Sequence, residues 1–342
     1  GADPLDIRYN TIQWVHRSTR GWSYGYSVSD PRSGEIIKGH VSLGSLRVRQ
    51  DQLIAEALTA PFTNPEARSG EARKMALARL RQLSAHEVGH TLGIDHNFAA
   101  SFSGDASVMD YPHPDLYLDE NGSVRLDRAY RTGVSPWDKL AVRYGYQHFN
   151  GDDEAAGLAF ILNEARAQGI AFLGDQDARA PGSAHPGAHL WDNGQNVLTR
   201  LEELLAIRQT GLENFSPAVL PLGAPLFEME RRLVPVFLLH RYQIEATAKL
   251  LGGLRYEYAL KGEPTEALVP IDGASQEHAL QALTELLKPE RLALPVSLHY
   301  LIPPPVLEHA RDREYFPGAT GAAFDHLAPS RAGADLVIRE LL

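Results

Sequence analysis

The chain has 342 residues, 44% of them hydrophobic and 22% charged, with a net charge of −10. At roughly 150 residues per domain this describes an ordinary globular protein of about two domains, and it excludes a disordered, collagenous or coiled-coil chain. The acidic balance argues against a nucleic-acid surface, the absence of cysteine excludes disulfides and thiolate metal sites, and the longest apolar run, Leu233–Leu239, is too short to span a bilayer.

In chain order, residues 7–16 read as a strand rich in β-branched and aromatic side chains, and residues 22–29 and 36–43 as two more. Asp30-Pro31-Arg32-Ser33-Gly34 between them is turn chemistry. Residues 51–60 read as a helix, and a longer one runs over 71–92, stopped by Gly93. Residues 97–134 are loop-rich, with a hairpin expected at Asp119-Glu120-Asn121-Gly122. Ser135 and Pro136 are a helix cap and first position, starting a helix over 135–144. Beyond 150, helices are expected at 153–168, 196–209, 226–251 with a kink at Pro235, 275–287 and 331–342. Residues 1–150 carry 17 basic and 17 acidic residues, and residues 151–342 carry 16 and 26. That step supports two units, 1–150 and a mainly helical 151–342, in an α+β chain. By residue type, Trp14, Trp22 and Trp137 are expected in the core.

Residues 86–96 read His-Glu-Val-Gly-His-Thr-Leu-Gly-Ile-Asp-His. On a helix His86 and His90 lie four apart on one face and can hold one zinc ion, while Glu87 can reach a water on the metal. Gly93 lets the chain leave the helix sharply, so that His96 returns as a third ligand. Three neutral imidazoles plus an open position describe a catalytic zinc site. Elsewhere the only ligand-like histidine spacing is His185/His189, in a Pro/Gly-rich loop. Asp175 and Asp177 read as turn formers, with calcium binding as the alternative.

Thirteen residues after His96 comes Met109, within Ser107-Val108-Met109-Asp110-Tyr111-Pro112. The extended zinc motif followed by this turn resembles the metzincin zinc peptidases. Ser-x-Met-x-Tyr is similar to the astacin and serralysin branches, whose tyrosine approaches the zinc, although Asn97 stands where astacins have Glu and matrixins usually Ser. The stretches Tyr9–His16, Gly34–Gln50, Leu83–Asn97 and Ser107–Tyr111 resemble a family of large bacterial zinc-dependent metzincin-type proteases, which carry a helical segment after the catalytic domain and are exported. The resemblance implies one zinc per chain on His86, His90 and His96, Glu87 as general base, Met109 as the structural turn methionine, Tyr111 as a catalytic residue and an extracytoplasmic location. It implies a catalytic domain over 1–150 that lacks its first strand, helix and strand, because residues 7–16 look like the third strand of such domains. It also implies that residues 22–29, with Trp22, Ser23, Tyr24, Gly25 and Tyr26 at their start, form the sheet edge that pairs with a peptide or protein substrate. Two function classes stay open: a zinc endopeptidase, and a binding or scaffolding protein that retains a metal site and works through its acidic helical half. An intact Glu87 favours the first, since metal binding alone does not need it. Residue types and spacing leave the oligomeric state open.

Overall fold

The computed structural model describes all residues except 1–2, 18–20, 65, 67–68, 103, 105–106, 181, 263–267, 307–308 and 310. Three strands open the chain: β1 (Thr11–Val15), β2 (Tyr24–Ser29) and β3 (Ile36–Gly44). Their order is β1-β3-β2, with β1 parallel to β3 and β2 antiparallel to it. The central strand buries Val41 and Leu43, while both outer strands keep a face open.

Two helices follow, α1 (Ser45–Thr59) and α2 (Gly70–Thr91). α1 begins six residues before the expected start, because Ser45 Oγ is tied to the Arg17 backbone, accepting from its N–H at 2.8 Å and donating to its carbonyl at 2.9 Å. α2 lies against β2 and β3 at very close range. A Cβ on Gly25 would stand 1.9 Å from the Glu87 carbonyl oxygen, so only glycine lets β2 approach the helix this closely.

The expected hairpin forms from β4 (Tyr117–Leu118) and β5 (Val124–Arg125). α3 (Pro136–Tyr146) has the expected Ser135 cap, completed as a capping box by Asp138. Then come α4 (Glu154–Ala167), the one-turn α5 (Asp175–Ala178) and α6 (Val197–Glu213). The long helix expected over 226–251 is instead two: α7 (Met229–Phe237) ends two residues after Pro235, and α8 (Arg241–Ala248) restarts beyond a turn. Proline removes one backbone donor and crowds the preceding turn, yet Pro235 stays inside α7, and the break falls after it at residues 238–240. A short hairpin, β6 (Leu254–Tyr256) with β7 (Leu268–Pro270), precedes α9 (Gly273–Glu285), α10 (Pro289–Leu292) and α11 (Ala328–Leu341). Long helices with small, separate sheets make an α+β fold.

The largest apolar cluster ignores the charge step at 150. Ala55 and Leu58 of α1 and Met75 of α2 share it with Leu204 and Ile207 of α6 and Leu233, Val236 and Phe237 of α7. At Gly211 of α6 a Cβ would lie 3.0 Å from both Leu58 and Val236, which shows how tightly α1, α6 and α7 meet. Trp137 is buried in the core, but Trp14 and Trp22 are not; they are 42% and 77% exposed. Trp14 projects from an outer strand and Trp22 precedes β2, so neither has a second layer to cover it.

Candidate metal centre and cleft

The helix α2 carries His86, Glu87 and His90 on its last turns, and its end brings back the third histidine. Gly93 takes φ +75°, a left-handed conformation that glycine adopts without penalty. There the Gly93 N–H donates to the His90 carbonyl at 3.0 Å and the Ile94 N–H to the Gly89 carbonyl at 3.2 Å. This reversal sets His96 beside the helix. His90 Nε2 lies 3.1 Å from His86 Nε2 and 3.2 Å from His96 Nε2.

Each outer ring nitrogen faces an acceptor. His86 Nδ1 is 2.6 Å from the Val108 carbonyl, His90 Nδ1 is 2.9 Å from the Ile94 carbonyl, and His96 Nδ1 is 2.7 Å from Asp175 Oδ2. The proton therefore belongs on Nδ1 in all three rings. Three Nε2 lone pairs then converge with no proton among them, and acceptors cannot bond one another. A metal cation could be shared by all three, and ring nitrogens about 2.0–2.1 Å from a common zinc would stand at such separations. Burial holds the His86 imidazole well below the ordinary histidine value and lowers that of His90, with neighbouring imidazoles adding to both effects. Neutral imidazole is the form that binds metal. Among the described residues this is the one group of three potential ligands.

Met109 is 1% exposed and lies against the helix that carries His86 and His90. A Cβ on Gly89 would be 2.3 Å from its sulfur, so the glycine of the zinc motif makes room for it. Asp138 at the start of α3 fixes the turn from the other side, accepting from Ser107 Oγ at 2.5 Å and from the Val108 N–H at 3.2 Å. Asn97, where the motif departs from astacins, is a buried connector. Its Oδ1 accepts from the Leu173 and Ala99 N–H groups, each at 3.1 Å, and its Nδ2 donates to the Ala171 carbonyl at 2.9 Å.

Tyr111 lies over the metal cradle, its ring centroid 4.9 Å from that of His96 and 5.3 Å from that of His86. Arg179, just past α5, lies over the Tyr111 ring at 5.1 Å, donates to its hydroxyl and also bonds Asp175. One short segment of the C-terminal half thus supports both a histidine and the tyrosine. Asp175 and Asp177 are not arranged as a calcium pair. Asp175 serves His96, and Asp177 accepts from the Tyr256 and Tyr258 hydroxyls at 2.8 and 2.5 Å. His185 and His189 are buried and, among the described residues, join no group of three ligands.

Glu87 is buried and accepts from the Gly25 N–H. Burial pushes its carboxyl up to about 7, against the pull of the Arg79 guanidinium. It opens, with Tyr111, onto a cleft of about 750 Å³. Gly25 and the edge strand β2 therefore stand directly beside Glu87. Tyr24 and Tyr26 stack on His40 across the outer face, at 6.4 and 5.1 Å, while Trp22 and Ser23 precede the strand and line the cleft.

Sequence reasoning missed the roles of three residues here, Asp175 having been read only as a turn former or calcium ligand. Asp175 and Arg179 sit 79 and 83 positions from His96 and carry no motif. Trp191 lies in the cleft at φ +62°, a strained conformation for tryptophan. Its N–H donates to the Tyr111 carbonyl at 2.8 Å and its ring is 5.0 Å from that of Tyr111. The Asp192-Asn193-Gly194 run beside it was the one local sign of a turn.

Neither curated proteins nor solved structures yield a match to this chain. A protein-family model described as Met-zincin matches residues 68–342, which include the three histidines, Glu87, Met109, Tyr111 and the supporting Asp175–Arg179 segment. With most of its length matched, the chain belongs to the Met-zincin family, a family of metzincin-type zinc metalloproteases.

Proposed function

We propose that this protein is a zinc-dependent endopeptidase with Glu87 as its general base. The observation that carries the reading is the convergence of three Nε2 lone pairs, each with its opposite nitrogen occupied, one residue from a buried carboxylate at the mouth of a cleft. His86, His90 and His96 would hold the ion. When bound, zinc supplies Lewis-acid polarisation of the scissile carbonyl and acidification of water.

The chain's own residues supply the rest. Glu87 takes the proton of the attacking water on its carboxylate and returns it to the leaving amine nitrogen, so that water's hydroxyl ends on the acyl carbon and its hydrogen on the amine. A carboxyl held near 7 suits a group that must both accept and release a proton at neutral pH. The Tyr111 hydroxyl donates a hydrogen bond to the developing oxyanion, with Arg179 fixing its position. β2 offers an open edge on which an extended peptide or protein substrate adds as a further strand, placing its backbone past Glu87. Among the described residues no helix is long and apolar enough to cross a membrane. An extracytoplasmic site of action rests on the family resemblance.

The test is metal content measured together with cleavage of an unstructured protein substrate. Cleavage should stop with chelator and return with zinc. A folded, zinc-loaded chain that cleaves no peptide would overturn the reading and leave a metal-binding scaffold.

A further inference from the structure

A second cavity, of about 430 Å³, is lined by Gln82, Ser101, Asp110, Asp192 and Asn193 and reaches the surface at the exposed Arg128, Gly133 and Glu203. Asp110 and Asp192 are 1% and 4% exposed. One residue ties their carboxylates together: the Ser101 N–H donates to Asp110 Oδ2 at 3.2 Å, and its hydroxyl donates to Asp192 Oδ1 at 2.9 Å. Two like charges held on one serine repel. Burial pushes Asp192 up to about 7 and Asp110 well above the usual carboxylate range, where the Asp192 charge adds to the effect. Among the described residues neither carboxylate forms an ion pair. The cation felt at Asp192 is the Lys249 ammonium, which itself donates to the Ala178 and Ala188 carbonyls at 3.1 and 2.6 Å. Two amide side chains add further acceptors. Gln82, on α2, donates through Nε2 to the Val108 and Asp110 carbonyls at 2.9 and 3.5 Å, so its nitrogen is held by the turn around Met109 and its oxygen is left for the cavity it lines. Asn193 donates through Nδ2 to the His113 carbonyl at 3.3 Å. Both Gln82 Oε1 and Asn193 Oδ1 are buried and have no donor among the described residues.

Buried acceptors without a donor are costly, and a pair of buried carboxylates more so. A hard cation answers both, since calcium takes carboxylate, amide and water oxygens together in a flexible shell. We propose that this cavity holds one calcium ion, with Asp110 and Asp192 as its charged ligands and Gln82 Oε1 and Asn193 Oδ1 as its neutral ones. The ion would join two segments that already pair through their backbones. The Trp191 N–H donates to the Tyr111 carbonyl at 2.8 Å, and the His113 N–H donates to the Asp192 carbonyl at 3.0 Å. Calcium would thus pin the stretch after Met109 to the C-terminal half, with Tyr111 and Trp191 on either side of the seam. This site is separate from the three histidines and does not depend on the peptidase reading.

The competing account is that the two carboxyls share a proton and bind no ion. Calcium titration calorimetry on zinc-loaded protein separates the two. One equivalent of calcium should bind per chain and raise Tm. Terbium, which occupies calcium sites and is excited through nearby tryptophan, should emit beside Trp191 and be displaced by calcium. Asp110→Asn and, separately, Asp192→Asn should each weaken calcium by about 10-fold or more, because affinity follows the number of charged ligands. The exposed Asp127→Asn serves as a control and should change nothing. His96→Ala should lose zinc and keep calcium, so failure of the zinc site and failure of this one are told apart. If neither aspartate variant folds, Gln82→Met decides: it keeps the length of the side chain, removes the oxygen, and should weaken calcium. Neither heat nor a shift in Tm at up to about 10 mM calcium overturns the proposal. So does calcium binding that survives both aspartate substitutions, or that is unchanged in Gln82→Met where that variant has to decide.

Discussion

Removing the Asp175 carboxylate tests whether the C-terminal half takes part in metal binding. Asp175 Oδ2 accepts from His96 Nδ1 at 2.7 Å and so fixes the tautomer and ring orientation of the third ligand. Loss of such a partner typically costs about 10–100-fold in metal affinity. Here two features favour the lower end. The Asp175 side chain is 46% exposed, and Arg179 shares its charge. Asp175→Ala should therefore weaken zinc by about 10-fold, and Asp175→Asn by less, since an amide oxygen still accepts the bond. The assay is competition with a chromophoric chelator, which needs no enzymatic turnover. Asp177→Asn serves as a control for general damage to α5, because that carboxylate serves Tyr256 and Tyr258 instead. His96→Ala should exceed both Asp175 variants. Zinc affinity of Asp175→Ala within about two-fold of wild type would refute the argument that this carboxylate holds the ligand.

Further consequences are open to measurement. Glu87→Gln should bind zinc like the wild type and lose about 10²–10⁴ in kcat, and activity within a factor of about two would reject the general-base role. Tyr111→Phe should lower kcat by about 10²–10³ at unchanged zinc content, whereas an unchanged kcat would reduce the tyrosine to packing. Gly89→Ala drives a methyl to 2.3 Å from the Met109 sulfur, and overpacking of that kind should cost about 1–3 kcal/mol in urea unfolding. His113 and His240 are fully buried, and burial together with nearby arginines holds both at about 3 rather than 6.5. Protons then bind the unfolded chain first. The stability these groups contribute is present above pH 6.5 and is lost as pH falls toward 3. Urea midpoints of metal-free protein should fall across that window, and the slope should flatten in His113→Gln; an unchanged slope would count against the assignment.

The part of the site that was legible in the sequence is the part built by local rules. His86, Glu87 and His90 share a helix, Gly93 ends it, and Ser135 caps α3, so spacing alone carries the geometry. The class of fold followed from the same periodicities. What could not be read depends on distant partners. The early start of α1 comes from Ser45 bonding Arg17, the outward turn of Trp14 from its place on an outer strand, and the roles of Asp175, Arg179 and Trp191 from packing against residues 68 to 80 positions away. Pro235 was visible, but it lies within α7, and the turn that separates α7 from α8 comes after it. The stretch over 22–29 is strand only from Tyr24, because Ser23 instead accepts the Gly44 N–H through its hydroxyl at 3.0 Å.

The apolar cluster that joins α1 and α2 to α6 and α7 bears on how the protein melts. Leu58 of α1 meets α6 and α7, whose side chains arrive more than a hundred residues later in the chain. An isolated 1–150 segment would leave that surface wet and would lack the Asp175 support for His96. Heating the whole chain should then give one calorimetric transition rather than two, with the heat and van't Hoff enthalpies in agreement. During synthesis His96 would have to wait for Asp175 to emerge, so the third ligand is fixed only after about half of the polypeptide has been made.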